Sequence, residues 1–477
     1  MGKAILHLLG SNLTIKLCSL VFSFFLAKFY GASILGSYVL FISIYGLGLF
    51  TSKLGIFYAL EKRISEIRKD ENTLITTSLL VNLLFVLLTV GTLAIFNTYL
   101  EKFIGIDSAG FYLILCVMIG NLNEFVSVVI RAKKKMIIFS RVMLFREVIP
   151  KLLVVIIFFL NGGGIHLVIV SIIVGEAFAL LYAIFFMDKL VFHKPNKTAF
   201  KSLYALTKFN AILEFRGMAF NWVDIWVVGL FLSREYVGVY QVAWQISGGI
   251  LIVNKALTTA CFPYFSEWFA NNQTEKVKTY LKDNIHLFLL LPVPLLMGSL
   301  IYAAEIMTLF SDDFNVGRYV LMILMICTMF RSIQELYSKV LVAMDQSKLS
   351  FIASTYSGMI GILLNVVLTY FWGIEGAAIA TTLGSLISFL ICAYYLKKVL
   401  NYRLTFNSIS YNLYASLIML ISLVVIKYQM SLENLFIGVS TGIVVWLVTL
   451  FTTKLYRKEF SRLIKSVGKR KGEISNV

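Results

Sequence analysis

The sequence predicts an all-α polytopic membrane protein, and three observations support this fold class. Hydrophobic residues make up 59% of the chain and charged residues only 14%, well below the roughly 25% charged share of soluble domains. The mean hydropathy is +0.85. Apolar stretches of about 20 residues, the length that a helix needs to cross ~30 Å of hydrocarbon, recur from end to end. We therefore expect about 14 transmembrane helices.

Hydropathy defines the predicted spans in chain order. The first span resembles a secretory signal because Lys3 precedes an apolar run, but it is too long for one and Lys16 interrupts it. We therefore keep it as a true span. The predicted spans are 4–27, 34–54, 74–97, 109–131, 142–161, 163–187, 207–232, 236–266, 284–303, 317–343, 350–371, 375–397, 408–428 and 433–453.

The positive charges predict the orientation in the membrane. With the N-terminus inside, Lys and Arg concentrate in the segments that face the cytoplasm, as the positive-inside rule requires. Both termini and Lys134 and Lys197 are then cytoplasmic, and Asp312 is external. The net charge of +18 lies mostly in these short loops, which does not favour nucleic acid as a partner. The basic tail at 454–477 either touches anionic lipid headgroups or only anchors the topology.

A weak internal repeat predicts two lobes. Gly-Ser-Tyr at 36–38 opens the second span, and Gly-Val-Tyr at 238–240 opens the eighth, 202 residues later. Six spans separate the two motifs, so the lobes are parallel repeats in which the same orientation recurs. The predicted organisation is an N-terminal six-helix lobe at 1–190, a cytoplasmic linker at 191–206, a C-terminal six-helix lobe at 207–400, helices 13 and 14 at 401–453 and the basic tail.

Charged residues inside the spans are the candidate functional groups, because a charge at membrane depth is costly and usually faces a bundle interior or a wet cavity. Several of them line up at helical spacing, such as Arg331, Glu335 and Lys339 in span ten. We expect such stripes to enclose a central wet path. The predicted substrate-binding bases are Lys16, Arg146, Lys151, Arg216, Lys255 and Arg331, and the predicted lumen or ion-coupling acids are Glu124, Glu176, Glu214, Asp224 and Glu335.

A structural interpretation stays open for each pair of opposite charges. Glu147 with Lys151, and Arg331 with Glu335, are four residues apart and suit local ion pairs within one helix. Lys53 and Lys339 lie near span ends, where a lysine can reach the interface. We expect spans 13 and 14 to carry no charge within the membrane and to contact lipid or a polyprenyl tail rather than the headgroup.

Other function classes find little support. The sequence has no G-x-x-x-x-G-K-[ST] motif, and its five Cys and four His are scattered, so we expect no ATP motor, no metal and no cofactor. A membrane glycosyltransferase or polymerase needs paired acids near a sugar pocket, and the adjacent acids in a predicted loop are Asp312 and Asp313. We therefore predict no catalytic residues and a transporter rather than an enzyme.

Four segments carry a resemblance to a known family. They are GASILGSYVLFISI at 31–44, GVYQVAWQI at 238–246, CFPYFSEW at 261–268 and LLNVVLTYFWGIEGAAIATTLGS at 363–385, the last being the most specific. With these segments the chain resembles, over nearly its whole length, the Wzx-type flippases of O-antigen and capsule repeat units, the polysaccharide transport family within the multidrug/oligosaccharidyl-lipid/polysaccharide (MOP) exporter superfamily.

The resemblance implies two six-helix lobes, as in multidrug and toxin exporters (MATE), that alternate around a cationic lumen. It also implies an undecaprenyl-diphosphate-linked oligosaccharide as substrate, H⁺ or Na⁺ as a coupling ion, and a polysaccharide polymerase and chain-length machinery as partners. The implied location is the bacterial inner membrane. A lipid II-type precursor flippase and a multidrug or cation antiporter of the same superfamily remain alternatives. An exporter of cations calls for an acid-dominated lumen, which the excess of bases disfavours.

Overall fold

All regular elements that the computed structural model describes are helical, and its described residues are 2–66, 71–187, 191, 193–402, 407–429 and 435–452. A 3₁₀ turn at Asp312–Gly317 precedes α13, and a π-helical turn at Val425–Gln429 follows α15. The helices are α1 (Gly2–Lys53), α2 (Ile56–Glu66), α3 (Glu71–Ile95), α4 (Asn97–Ile104), α5 (Ala109–Ala132), α6 (Met136–Asn161), α7 (Ile165–Phe186), α8 (Lys197–Phe231), α9 (Arg234–Gly249), α10 (Leu251–Ala270), α11 (Thr274–Phe288), α12 (Pro292–Thr308), α13 (Arg318–Ala343), α14 (Ser347–Leu400), α15 (Asn407–Val424) and α16 (Leu435–Thr452).

Two helices each contain a pair of predicted spans. The continuous run of α1 is broken at Gly31, where φ is 81° and ψ is 176°, and that of α14 is broken at Gly373, where φ is 62° and ψ is −141°. Residues with a side chain rarely adopt such positive φ values, so glycine permits the chain to change direction there. The predicted loops between spans one and two and between spans eleven and twelve are therefore sharp glycine bends.

The helices agree with the predicted fold class. Ten helical stretches of the described chain are long and apolar enough to cross a membrane, and two of these, α1 and α14, hold two spans each. The predicted spans five and seven are α6 and α8, in which every stretch of 18 residues holds at least three charged residues. These helices together give the predicted 14 spans. On α3, the side chains of Leu80, Leu87 and Leu88 are at least half exposed, as expected of a helix face that contacts lipid.

Three short helices lie in segments where hydropathy predicts loops. They are α2, α4 and α11, each with apolar residues on one side and polar residues on the other. An ion pair of 2.9 Å between Arg131 and Glu61 joins the end of α5 to α2, and a pair of 2.8 Å joins Lys133 to Glu71. Hydropathy misses such helices because only one face of each is apolar and buried, while the other face carries polar and charged residues.

The chain divides into two compact units, Met1–Val242 and Ala243–Val477. The core of the first gathers side chains of α2, α3, α5 and α7, and that of the second gathers side chains of α10, α11, α13 and α14. Helix α8 packs on α1, α2 and α3 and so belongs with the first unit. The division therefore lies some 35 residues beyond the predicted linker at 191–206, because α8 and the start of α9 pack with the first unit.

The last two helices pack on α12 through Tyr302, Met419 and Trp446. The expectation that spans 13 and 14 carry no charge is wrong: Glu433, which lies outside the described residues, begins the predicted span 433–453, and Lys427 lies in the π-helical turn. The Lys427 ammonium pairs with Glu305 of α12 and donates a hydrogen bond of 2.7 Å to the Ile301 carbonyl. The partner carboxylate lies on another helix, so a scan of single spans does not reveal the pair. The basic tail at 454–477 lies outside the described residues.

Candidate functional site

Arg146 of α6 is the centre of a charged cluster in the first unit. Its Nη1 lies 2.8 Å from Glu124 of α5, and its Nε lies 2.6 Å from Glu176 of α7. Two carboxylates on two neighbouring helices therefore share one guanidinium. The planar fork of arginine suits this double role, because its N–H groups point in different directions. The cluster fastens three helices to one another.

Glu176 is almost fully buried, with 2% of its side chain exposed, and its two oxygens accept three hydrogen-bond donors. The Tyr45 hydroxyl donates to Oε1 at 2.5 Å, the Arg146 Nε donates to the same oxygen, and the Asn123 amide donates to Oε2 at 2.9 Å. Glu176 therefore joins Tyr45, Asn123 and Arg146, which lie on three other helices, in the interior of the unit.

Two lysines of the first unit also form ion pairs with acids. Lys53 lies 3.3 Å from Glu124, and Lys151 lies 3.0 Å from Glu147 and 2.8 Å from the Ser19 hydroxyl. The Glu147–Lys151 ion pair is one of the two local pairs that the four-residue spacing suggests. A cavity of about 120 Å³ adjoins these groups, and it is lined by Phe22, Tyr38, Ile42, Tyr45, Arg146, Glu147, Pro150, Lys151, Val168, Ser171, Ile172 and Glu176.

Helix α8 contributes the remaining predicted acids of the first unit. Glu214 is half-buried on this helix. Asp224 accepts a hydrogen bond of 3.1 Å from the Tyr240 hydroxyl. With Glu124, Glu147, Glu176 and Glu214 set against Lys53, Arg146 and Lys151, this region has no excess of positive charge.

The second unit holds a different set of charges, in which three bases act electrostatically on one acid. Lys255 of α10 and Arg331 and Lys339 of α13 are the positive charges that act on Glu335 of α13. Among the described residues, no ion pair within 4.0 Å joins any of these bases to Glu335. The predicted local pair of Arg331 with Glu335 is therefore not formed here. The cluster carries an excess of two positive charges.

Aromatic rings support two of these bases. The Arg331 guanidinium stands over the ring of Trp244, 5.1 Å from its centroid, and the Lys339 ammonium lies 5.8 Å from the centroid of Phe262. A ring face attracts a cation without neutralising it, so both bases keep their charge and most of their hydrogen-bonding capacity. Such bases can still donate to an incoming anion.

The other two predicted bases lie on α1 and α8. Lys16 lies on the exposed side of α1 and forms no ion pair with the described residues. Arg216 is half-buried on α8. The structure thus brings Arg146, Glu124 and Glu176 together in one unit and Lys255, Arg331 and Glu335 together in the other.

Sequence reasoning missed the neutral partners of the first cluster. Tyr45 and Asn123 bind Glu176, and Ser19 binds Lys151, yet none of these three is a predicted site residue. Asn121 and Asn123 precede the charged position 124 in an otherwise apolar span, and this was a signal that the acid has polar partners. Within the described part of the chain, no group of three or more His, Cys, Asp or Glu side chains is placed to hold a metal ion.

Solved structures share this fold. The chain is similar to the lipid II flippase MurJ in an inward closed conformation, with a TM-score of 0.76, 16% identity and coverage of 95% of this chain and 99% of that one. It is also similar to a multidrug resistance MATE family transporter of the MOP superfamily in its inward-facing conformation, with a TM-score of 0.65, 13% identity and coverage of 81% and 94%. The fold is therefore that of MOP-type transporters.

Curated relatives and family models give the family. The chain is 26% identical to the probable low-salt glycan biosynthesis flippase Agl15 of Haloferax volcanii, over 93% of this chain and 94% of the relative. It is 29% identical to the probable flippase AglR of the same organism, over 41% and 43%. A MatE model matches residues 215–371, and a model described as polysaccharide biosynthesis protein matches residues 1–269, more than half of the chain. The chain therefore belongs to the polysaccharide biosynthesis protein family.

Proposed function

We propose that this protein carries a polyprenyl-diphosphate-linked oligosaccharide from the cytoplasmic to the outer leaflet by alternating access, with both termini cytoplasmic. In a bacterial inner membrane the substrate is an undecaprenyl-diphosphate-linked repeat unit for O-antigen, capsule or another surface polysaccharide. Family membership and the flippase relatives support this class of activity. Both flippase relatives come from an archaeon, so the proposal rests on the diphosphate-sugar headgroup and not on one length of polyprenyl chain.

The observation that carries the proposal is the excess of positive charge around Glu335. Lys255, Arg331 and Lys339 act on that one carboxylate, and none of them forms an ion pair with a described residue. A diphosphate carries several anionic oxygens, and charge-assisted hydrogen bonds from Arg and Lys are its strongest protein contacts. We assign the headgroup to this cluster, and we assign a structural role to the paired bases of the first unit.

The same charges weigh against a cation exporter. The MatE model covers Arg331, which makes a multidrug or cation antiporter the second candidate. A cationic substrate is repelled by three bases set against one acid, since like charges at close range cost several kcal/mol. Coupling to H⁺ or Na⁺ through one of the acids stays part of the proposal, as do contacts with a polysaccharide polymerase and chain-length machinery.

Transport by the purified full-length protein in liposomes tests the proposal. The probe is an undecaprenyl-diphosphate disaccharide with a fluorescent sugar label, and the fraction that dithionite quenches reports the outer leaflet. We expect faster equilibration between leaflets than in protein-free liposomes, and an Arg331→Ala variant that folds normally should lose most of it. Equal rates with and without protein would refute the proposal.

Three further arms of this assay separate the alternatives. Fluorescent lipid II in place of the probe tests the precursor flippase, and ethidium accumulation tests the multidrug exporter. Mass spectrometry of the recovered probe tests the membrane glycosyltransferase, because a transferase changes the mass of the glycan whereas a transporter leaves it unchanged. Ethidium transport without probe transport would replace the proposed function with export of cations.

A further inference from the structure

The first ten residues of α8 precede the span predicted at 207–232. A helix rises about 1.5 Å per residue, so α8 is about 50 Å long, whereas the hydrocarbon layer is only about 30 Å thick. The predicted boundary at 207 therefore puts residues 197–206 in the headgroup layer and just beyond it. That layer belongs to the leaflet in which span seven begins, which is the cytoplasmic leaflet in the proposed orientation.

One side of this segment is packed on the first unit. Ala199 and Leu203 are buried in the core of that unit. The Arg63 Nη2 of α2 donates a hydrogen bond of 3.4 Å to the Ser202 carbonyl. At the start of the helix, the Asn196 side chain accepts a hydrogen bond of 3.0 Å from the backbone amide of the second helical residue. The segment therefore has a fixed orientation, and its opposite face is turned away from the core.

The opposite face combines aromatic rings with lysines. Phe200 and Tyr204, one turn apart, are 45% and 57% exposed, and their rings stack with centroids 6.0 Å apart and planes inclined by 17°. Lys197 and Lys201 are exposed on the same side of the helix and form no ion pair with any described residue. Residues 189–213 contain five lysines and no acid, so the segment itself supplies no carboxylate to neutralise this face.

Helix α11 of the second unit is also amphipathic, but its surface is different. Its Lys278 pairs with Glu275 at 2.6 Å, and the ring of its Tyr280 packs against Phe265 of α10, with the centroids 5.4 Å apart. In α11, then, an acid pairs with a lysine and the tyrosine faces the core. The positive-inside bias accounts for lysines in both helices, but it does not account for the exposed rings between the lysines of α8.

We infer that the face formed by Lys197, Phe200, Lys201 and Tyr204, called here the basic aromatic face, binds the headgroups of anionic phospholipids. Lysines beside an anionic membrane surface attract its lipids, and a lipid phosphate accepts charge-assisted hydrogen bonds from them. Aromatic rings at headgroup depth place their apolar bodies among the lipids, and a tyrosine hydroxyl there still reaches water. The site is independent of the transported substrate, so the inference goes beyond the proposed function.

Photocrosslinking from the face itself tests the inference. Phe200 of the full-length protein is replaced by p-benzoylphenylalanine, and the protein is illuminated in nanodiscs of roughly three parts dioleoyl phosphatidylcholine to one part dioleoyl phosphatidylglycerol, an anionic lipid. Mass spectrometry then gives the ratio of the two lipid adducts. Each lysine near an anionic surface contributes a factor of about five, so phosphatidylglycerol should be enriched at least about fivefold over its bulk share. Lys197→Gln with Lys201→Gln should return the ratio to nearly the bulk value.

Matched variants control for net charge and folding. Lys276→Gln with Lys282→Gln removes two exposed lysines of α11 and should leave the adduct ratio unchanged. Lys197→Arg with Lys201→Arg keeps both charges and should retain the preference for phosphatidylglycerol. The melting temperature should stay the same in the Lys197 and Lys201 variants, because neither lysine forms an ion pair with a described residue.

Three results would overturn the inference. They are an adduct ratio at the bulk value when the lysines are intact, an equal loss of preference in both pairs of lysine variants, and crosslinks to another part of the chain in place of lipid. If Lys197→Gln with Lys201→Gln weakens binding of undecaprenyl diphosphate and leaves the adduct ratio unchanged, the face serves the transported substrate instead. A protein that fails to move the labelled disaccharide lipid but keeps the enriched ratio would refute the proposed function and leave the lipid site in place.

Discussion

The two units place the same pair of residue types at equivalent positions and surround them differently. The 202-residue offset of the Gly-x-Tyr motifs matches Lys53 with Lys255, and a second offset, of 211 residues, relates α5 to α13 and matches Glu124 with Glu335. In the first, Lys53 and Glu124 belong to a cluster in which Arg146 adds one positive charge and Glu176 one negative charge. In the second, Lys255 and Glu335 are accompanied by two further bases. The role of an intramembrane charge therefore depends on how many opposite charges lie within reach, and its presence in a span does not reveal that number.

The repeat also shows which residues of the first unit occupy the positions equivalent to the extra bases of the second. By the 211-residue offset, Arg331 corresponds to Gly120 and Lys339 to Val128. A Cβ atom at Gly120 would come within 2.1 Å of the Tyr45 hydroxyl, so a long side chain does not fit at this position in the first unit. In the first unit the tyrosine that binds Glu176 fills the space beside Gly120.

The largest effect on stability should come from Arg146→Met. The substitution leaves Glu124 with one partner and Glu176 without a positive one, and breaking a buried ion pair on one side costs about 3 to 5 kcal/mol. We expect a marked fall in the melting temperature of the purified protein and in its abundance in the membrane. The double variant Arg146→Met with Glu176→Gln should recover part of both, because no lone charge remains, the glutamine oxygen can accept from Asn123 and its NH2 group can donate to the Tyr45 hydroxyl oxygen. Normal stability of the single variant would refute the structural assignment.

Arg331→Ala should show the reverse pattern, with folding retained and transport reduced. The contact of its guanidinium with the Trp244 ring is worth about 0.5 to 2 kcal/mol, so stability should change by no more than that. Transport of the labelled lipid should fall at least about tenfold if one charge-assisted contact to the headgroup is lost. Arg331→Lys keeps the charge without the fork and should retain part of the rate. Full transport by a stable Arg331→Ala protein would remove this residue from the mechanism.

A matched pair of lysine substitutions compares the two units most directly. Lys53→Met removes a partner of Glu124, which Arg146 still holds, so we expect a loss of about 1 to 3 kcal/mol in stability. Lys255→Met removes no ion pair and should raise the Kd for undecaprenyl diphosphate without lowering the melting temperature. Melting curves and binding isotherms on both variants check this. Similar behaviour of the two lysines would contradict the assignment of different roles.

Hydropathy and charge predicted the spans because lipid imposes one requirement on every helix, namely a long apolar stretch. They did not predict α2, α4 and α11, which are buried on one face only. Helical spacing placed Arg331 and Glu335 on one face of α13 correctly, but it also suggested an ion pair that does not form. The rotamers and the competing partners of each side chain decide such contacts, and spacing alone does not describe them.

Contacts between residues far apart in the sequence were the part of the site that was hardest to predict. Arg146 and Glu176 are 30 residues apart on different helices, and Tyr45 is 131 residues from Glu176. No single-span pattern reports such a contact. The internal repeat was a stronger signal, because aligning α5 with α13 matches Glu124 with Glu335 and shows that the two glutamates occupy equivalent positions. The short motif at 36–38 already gave the offset that relates Lys53 to Lys255.

The smallest expected effect comes from Trp244, which holds Arg331 without neutralising it. Trp244→Leu keeps an apolar side chain but removes the ring face. The cation–π contact that orients the Arg331 guanidinium, worth about 0.5 to 1 kcal/mol, is then lost, and the KM for the labelled lipid should rise roughly twofold to fivefold. Trp244→Phe retains a ring face that attracts a cation more weakly, so its KM should lie between those of the unchanged protein and of Trp244→Leu. Trp226→Phe in the first unit is the control, because that indole donates a hydrogen bond of 3.0 Å to Ser43 and should affect the melting temperature rather than the KM.

A sugar ring stacked on Trp244 would predict a different result, in which Trp244→Leu weakens binding of the disaccharide lipid and leaves binding of undecaprenyl diphosphate unchanged. Positioning of Arg331 requires instead that both ligands weaken equally, since the diphosphate is the group they share.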